Sequence, residues 1–293
     1  MAGEIAARYQ SGSQKAGNVT EAWGAENFYC PNCSSPTLDW LEPGTKASDY
    51  KCPSCGFWYQ LKSQKSPIGR SIRDGAYNAM MEAIKEYRAP SYFFLHYDLT
   101  TWRVRNLLLV PHFAFPPSAI IKRPPLSPTA RRAGWVGCNF ALNRIPADAR
   151  IPVVTTILSP SPPSPTGERA RGEVARLIKT PRPNPLPAQS RGEGNVFRTI
   201  IVPPEEVRAQ FKRVKPLKDI SVTQRGWTLD VLNGVRSLGK NEFKNSDAYT
   251  LVGQLEKMHP DNRHVKDKIR QQLQVLRDAK LLIHVGNGTW RLP

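Results

Sequence analysis

The chain has 293 residues, 40% of them hydrophobic, with 42 Lys and Arg against 24 Asp and Glu for a formal net charge of +18. That length accommodates two domains with real cores, and the basic excess favours a polyanionic partner, with RNA binding or plain solubility as its other readings. No N-terminal apolar run reads as a signal peptide and no stretch is long enough to span a bilayer, so a cytoplasmic protein without a membrane partner is expected.

In chain order, the first strong signal is a pair of Cys-x-x-Cys knuckles, Cys30-Pro31-Asn32-Cys33 and Cys52-Pro53-Ser54-Cys55. Their C-x2-C-x18-C-x2-C spacing falls within the range of zinc ribbons. Pro31 and Pro53 help pre-set the tight turns. Four thiolates satisfy tetrahedral Zn2+ and leave no open position, so the ion would be structural. The alternatives are two disulfides or four buried thiols, and disulfides need an oxidising compartment that nothing here indicates. Cys138 stands alone and reads as a small buried hydrophobe.

The second knuckle runs straight into Phe57-Trp58-Tyr59-Gln60-Leu61-Lys62, with Asp49 just upstream. On a strand, Gln60 and Lys62 share one side. Phosphodiester hydrolysis needs oxygen ligands for Mg2+ and a cation near the attacking water or the scissile phosphate. Asp49 offers a carboxylate, Gln60 a carbonyl oxygen and Lys62 the cation. By itself Gln-x-Lys is a weak pattern, and an edge strand with a snorkelling lysine explains it as well.

Further on, residues 71–87 carry Ile72, Ala76, Ala79, Met80, Ala83, Ile84 and Tyr87 at helical spacing. Residues 92–95 and 104–110 read as strands, the second buried and ended by Pro111, and residues 151–156 as another. Between them, residues 128–135 set Arg131 and Arg132 beside Trp135. Arginines hold phosphates or guanine edges and an exposed indole can wedge against bases, while the plain alternative is a packed tryptophan with two surface arginines. From 159 to 194 the chain is proline- and arginine-rich with little to bury, which predicts a disordered insertion. The competing reading is a recognition arm.

The C-terminal part reads as three helices and a hairpin. Residues 226–238 carry Leu229, Leu232, Val235 and Leu238. Ser246 is a credible N-cap for a second helix through Leu251, Leu255 and Met258. A third, from about 262 to 280, turns Val265, Ile269, Leu273 and Leu276 to one face, and Arg263, Lys266, Arg270, Gln271 and Gln274 to the others. Gly286-Asn287-Gly288 then joins two short strands. This is the layout of a winged helix-turn-helix, with the third helix in the major groove and glutamines suited to adenine edges.

Several stretches together resemble the DpnI-like methyl-directed restriction endonucleases. They are Ser13-Gln14-Lys15-Ala16 with Thr20-Glu21 and Trp23, Tyr29-Cys30-Pro31-Asn32-Cys33, Asp74-Gly75-Ala76-Tyr77 with Met80-Met81, and Pro128-Thr129-Ala130-Arg131-Arg132-Ala133-Gly134-Trp135 with Gly137-Cys138-Asn139. Near the end come Arg225-Gly226-Trp227-Thr228 and Lys268-Ile269-Arg270-Gln271-Gln272-Leu273-Gln274. The resemblance implies an α/β PD-(D/E)xK nuclease core with a zinc-ribbon-like hairpin, followed by a small winged helix-turn-helix domain. It also implies cleavage of double-stranded DNA at GATC when the adenine is methylated, by a type II restriction hydrolase expected to act as a monomer.

On that pattern Asp49, Gln60 and Lys62 are the catalytic residues, with Asp49 and Gln60 on Mg2+ and Cys30, Cys33, Cys52 and Cys55 on structural Zn2+. Arg131, Arg132, Trp135, Arg263, Lys266, Arg270, Gln271 and Gln274 face DNA. Gln60 departs from the family, which has glutamate there, so a neutral oxygen replaces a charged one and metal affinity should fall. Gln-x-Lys versions occur elsewhere in the superfamily. The expected partition is 1–158 for the nuclease domain, 159–194 for the insertion, 195–217 for the end of the nuclease domain and a linker, and 218–293 for the winged helix. A non-catalytic reader of methylated DNA and a zinc-ribbon transcription regulator are the competing functions.

Overall fold

The computed structural model describes residues 11–42, 48–86, 88–159 and 196–293. The proline-rich segment lies outside the described residues from residue 160 onward. The chain divides into two units, Met1–Thr155 with Ile201–Pro293, and Thr156–Ile200.

The N-terminal helix α1 (Gly12–Asn27) starts at Ser11, whose hydroxyl accepts from the Gln14 amide at 3.2 Å. Short strands β1 (Asp39–Trp40) and β2 (Tyr50–Lys51) lead by hairpins into β3 (Trp58–Gln64). β3 then pairs in parallel with β5 (Ser91–Tyr97), which pairs antiparallel with β6 (Val104–Val110). With β9 (Ile151–Ser159) and β10 (Val196–Ile201) the seven-stranded order is β1-β2-β3-β5-β6-β9-β10. All of β5 except His96 is buried, as expected of a central strand covered on both faces. Phe93 of β5 stacks on Phe28 beyond the end of α1, 4.2 Å between centroids, and Tyr92 packs on Phe140 from the other side at 4.7 Å.

Helix α1 is tied to this sheet at specific points. The Thr20 hydroxyl bonds to Ser63 of β3 at 2.9 Å, and the Tyr50 hydroxyl donates to the Glu21 carbonyl at 2.7 Å. Gly24 is required by that approach, because a Cβ there would run into the Tyr50 ring and hydroxyl.

Residues 71–87 do not form the single helix that their apolar spacing predicts. Residues 71–76 are strand β4 (Ser71–Ala76), and helix α2 (Tyr77–Lys85) begins only afterwards. Ile72 pairs with Phe140 and is 4% exposed. Gly75 is a poor helix residue, while β8 (Val136–Ala141) offers antiparallel partners to Ser71, Ile72, Arg73 and Ala76, so tertiary pairing overrides the pattern. β4, β8 and β7 (Ile120–Pro125) make a second, antiparallel sheet that no sequence pattern announces.

After β10, helix α3 (Pro204–Val214) buries Val207, Phe211 and Val214. Helix α4 (Val222–Ser237) buries Leu229, Leu232 and Val235, as the spacing predicts. The expected second helix is two shorter ones, α5 (Asn245–Tyr249) and α6 (Val252–Met258). Ser246 is not the cap. The Lys244 amide donates to Asp247 at 2.8 Å, and the Thr250 hydroxyl bonds back to the Asp247 carbonyl at 2.7 Å where the helix breaks. Helix α7 (Val265–Asp278) follows, with Val265, Ile269, Leu273 and Leu276 all buried. The hairpin of β12 (Ile283–Gly286) and β13 (Thr289–Arg291) gains a third strand, β11 (Glu242–Lys244). Gly286, Asn287 and Gly288 all have positive φ, so the turn needs these residue types.

The helical domain is bolted to the first sheet's domain. Arg236 of α4 pairs with both carboxylate oxygens of Asp148, at 2.5 and 2.6 Å. The Ser118 hydroxyl donates to Asp230 of α4 at 2.8 Å, and the Asn233 amide donates to the Arg144 carbonyl.

Candidate active site and DNA interface

The four knuckle cysteines converge, their sulfurs all within 4.8 Å of one another. Cys30 to Cys55 and Cys33 to Cys52 are each 3.6 Å apart. A tetrahedral centre with Zn–S bonds of about 2.3 Å has edges of about 3.8 Å, so the cluster has the shape of a zinc site. It is far from the roughly 2.05 Å of a disulfide, and all five cysteines are free. The surrounding donors point at sulfur: the Asn32 side-chain amide lies 3.3 Å from Cys55, the Cys55 amide 3.4 Å from Cys52 and the Ser35 amide 3.5 Å from Cys33. Gly56 (φ +72°) turns the second knuckle back into β3.

A distant segment grips the first knuckle. Arg208 of α3 donates from Nε to the carbonyls of Cys30 (3.0 Å) and Cys33 (2.8 Å), and from Nη2 to Ser35 (3.1 Å). Its guanidinium lies 5.1 Å over the Tyr29 ring. Residues that follow the proline-rich segment are therefore part of the first domain's framework, a role no local signal around Arg208 announces.

Asp49 enters β2 beside β3. Its amide donates to the Tyr59 carbonyl at 2.9 Å and its Oδ2 accepts from the Leu61 amide at 2.7 Å. On β3, Tyr59 and Leu61 are buried while Gln60 and Lys62 are partly open on the alternate face. Burial pushes the Asp49 carboxyl up, against the Leu61 amide and the Lys62 ammonium, which pull it down. Asp49 and Lys62 thus share one electrostatic neighbourhood, with Gln60 two residues from Lys62 on the same strand.

Two further acids join them. Lys62 Nζ is 2.6 Å from Oδ1 of Asp74 on β4, a carboxylate only 2% exposed. Glu21 of α1 is pushed up to about 7, first by burial and then by the charge of Asp49. Both acids lie within the stretches that carry the family resemblance, and that is the signal that could have singled them out. Burial raises both Glu21 and Asp49, and the charge of Asp49 raises Glu21 further, a concentration of carboxyl groups that favours a cation nearby. Among the described residues only the cysteines bring three or more ligand atoms within 4.8 Å, and these carboxylates do not form so tight a group.

The candidate DNA residues fall in two groups. Arg131 and Arg132 are exposed on the loop from β7 to β8, which is closed by the Leu126 amide on the Trp135 carbonyl at 2.9 Å. Trp135 is half-buried, its ring folded back over Gly137, where a Cβ would sit 2.8 Å from Cη2. The indole is therefore packed along one side and partly open on the other. On α7, Arg263 just before the helix and Lys266, Arg270, Gln271 and Gln274 within it are all exposed, opposite the buried stripe. Gln272, by contrast, is buried and accepts from the Thr228 hydroxyl at 2.6 Å. Beside the start of α7, Trp227 stacks on His259 at 3.8 Å, and His259 Nε2 lies 2.9 Å from Asp230.

Residues 1–161 match the family profile described as DpnI, Dam-replacing family. Residues 223–292 match a second profile, described as DpnI_C, Dam-replacing HTH domain. No helix among the described residues is long and apolar enough to cross a membrane.

Proposed function

The chain belongs to the DpnI, Dam-replacing, family, and from that premise we propose that it is a Mg2+-dependent endonuclease cutting double-stranded DNA at adenine-methylated GATC sites. The family implies methyl-directed DNA cleavage, and its helix-turn-helix partner domain supplies a DNA-binding module. The observation that supports the catalytic reading best is the joint neighbourhood of Asp49 and Lys62 on adjoining strands, with Gln60 between them on the same face as Lys62.

In this reading Asp49 and Gln60 hold Mg2+, whose chemistry is to polarise the phosphate and activate water. Asp49 has Oδ1 to offer while Oδ2 holds the Leu61 amide. Lys62, oriented by Asp74, steadies the nucleophile or the phosphate. Cys30, Cys33, Cys52 and Cys55 hold structural Zn2+ and stiffen the hairpin that carries Asp49 and Gln60. Arg131, Arg132 and Trp135 meet DNA from the first domain, and Arg263, Lys266, Arg270, Gln271 and Gln274 from the recognition helix. The functional partition is nuclease at 1–158, insertion at 159–194, nuclease end and linker at 195–217 and winged helix at 218–293. The protein acts as a monomer in the cytoplasm.

Gln60 favours a second reading, a methyl-DNA reader whose cleavage has lapsed, because a neutral ligand holds Mg2+ less tightly than glutamate. One experiment separates the two. The purified chain is incubated with methylated and unmethylated GATC plasmid and Mg2+. Cutting of the methylated plasmid alone supports the endonuclease. Methyl-dependent retention without cutting supports the reader, and equal behaviour on both plasmids overturns both.

A further inference from the structure

The face of β3 that carries Gln60 and Lys62 also carries Trp58, because all three alternate with the buried Tyr59 and Leu61. Trp58 is 42% exposed, a large apolar side chain open to solvent beside the candidate catalytic residues. Lys51 on β2 stands directly opposite it in register, with Nζ 5.0 Å from the indole centroid. The second cysteine knuckle joins these two positions. The Cys52 amide donates to the Phe57 carbonyl at 2.8 Å and the Gly56 amide to the Cys52 carbonyl at 3.0 Å. Lys51 and Trp58 are therefore the first residues on either side of a rigid loop, held in place before any ligand arrives.

We propose that Lys51 and Trp58 form a DNA contact flanking the candidate active site, Lys51 on a backbone phosphate and Trp58 against the sugar or base beside it. The proposal rests on the reading that DNA lies across this face. In a duplex the base faces are covered by stacking, so the cation meets a backbone phosphate while the indole packs on the adjoining sugar or wedges at a base step. The spacing fits as well. Two strand residues cover about 6.7 Å, and a DNA strand advances about 3.4 Å per nucleotide along its axis, so Trp58 stands about two nucleotides from Gln60. Asp39 lies opposite Lys51 on β1 and limits the basic patch on that side, so the duplex runs from this pair toward Lys62. The net charge of +18 makes the molecule as a whole attractive to DNA but does not select this face; the exposed indole does.

The test uses the full chain and methylated GATC duplexes of decreasing flank length, with binding followed by fluorescence anisotropy and cleavage by plasmid nicking. Trp58→Ala is expected to weaken duplex binding roughly tenfold, and Trp58→Phe, which keeps a π-face, to recover most of that loss. Shortening the flank is expected to weaken the native chain but not Trp58→Ala. Lys51→Ala is expected to lower the slope of log K against log salt by about one. In cleavage, KM rises while kcat is spared. Zinc content equal to the native chain shows that the variants are folded. The inference is overturned if Trp58→Ala binds as the native chain does, or if it loses zinc, which would make Trp58 structural. If no variant cuts DNA yet the binding losses and their flank dependence appear, the endonuclease reading fails and this contact stands.

Discussion

The sulfur cluster and the candidate carboxylate centre both draw on the hairpin of β2 and β3, yet they are assembled in opposite ways. Each cysteine pair is three residues apart on a tight turn, so two ligands per knuckle are positioned by local backbone alone. Only the meeting of two knuckles requires the fold, and their sulfurs already lie within 4.8 Å. The acids come from three separate elements: Glu21 from α1, Asp49 from the entry to β2 and Asp74 from a different sheet. They also repel. Burial holds Glu21 and Asp49 above their ordinary values, and the charge of Asp49 raises Glu21 further. Soft ligands packed by turns make a rigid support, whereas carboxylates kept under electrostatic tension make a responsive site.

If that contrast is right, breaking the sulfur side should have the largest effect. Cys33→Ser is expected to lose the metal and the hairpin together, because structural zinc couples about 10–16 kcal/mol of binding to folding. Metal content and a thermal melt check it, and unchanged zinc in the variant breaks the comparison. Since the Cys33 carbonyl is also held by Arg208, the damage should spread to α3.

The oxygen side should fail differently. Asp49→Ala is expected to abolish nicking of methylated plasmid while methyl-dependent binding persists, because α7 and the wing lie in another domain. Gln60→Glu is expected to lower the Mg2+ concentration needed and raise the rate, since a second carboxylate adds charge to the cation site. A Mg2+ titration of native chain and both variants decides this. Residual cutting by Asp49→Ala with no gain in Gln60→Glu would move the metal centre to other residues.

A smaller effect separates structure from chemistry at Lys62. Removing its ammonium leaves Asp74 buried and uncompensated. Breaking a buried pair costs about 3–5 kcal/mol, and Lys62 is 23% exposed, so the low end applies. Lys62→Met is thus expected to lower the melting temperature, and adding Asp74→Asn to restore most of it without restoring cleavage. Cleavage by the double variant would assign Lys62 to structure alone.

The same division governs what could be read from the sequence. The knuckles were legible because C-x2-C is a local geometry, and helix α7 because Val265, Ile269, Leu273 and Leu276 recur on one face. The wing turn was legible because Gly286-Asn287-Gly288 needs positive φ throughout. Residues 71–76 were not, since Ile72 and Ala76 fit a helical period and a period of two alike, and only pairing with β8 decides. The pairing of Asp74 with Lys62 arises where two sheets meet. Arg208 contacts the Cys33 carbonyl from 175 residues away, a separation over which no spacing rule operates.

The smallest expected effect probes the tension itself. Glu21 ordinarily titrates near 4.5 and is raised to about 7 here, so between these values the folded chain keeps a proton that the unfolded chain has released. Stability contributed by that proton is complete below about pH 4.5 and is lost as pH rises through about 7. Glu21 is only half-buried, so solvent screening makes the loss modest. The melting temperature of the native chain is expected to fall more steeply from pH 5 to pH 8 than that of Glu21→Gln. Asp49→Ala should also flatten the profile, because the neighbouring charge is the second cause of the shift. Added Mg2+ should recover stability at pH 8 in the native chain more than in Glu21→Gln, since a divalent cation offsets the repulsion that ionisation creates. Parallel pH profiles for the native chain and Glu21→Gln would show that the carboxylates are not under tension, and the contrast with the sulfur cluster would reduce to geometry.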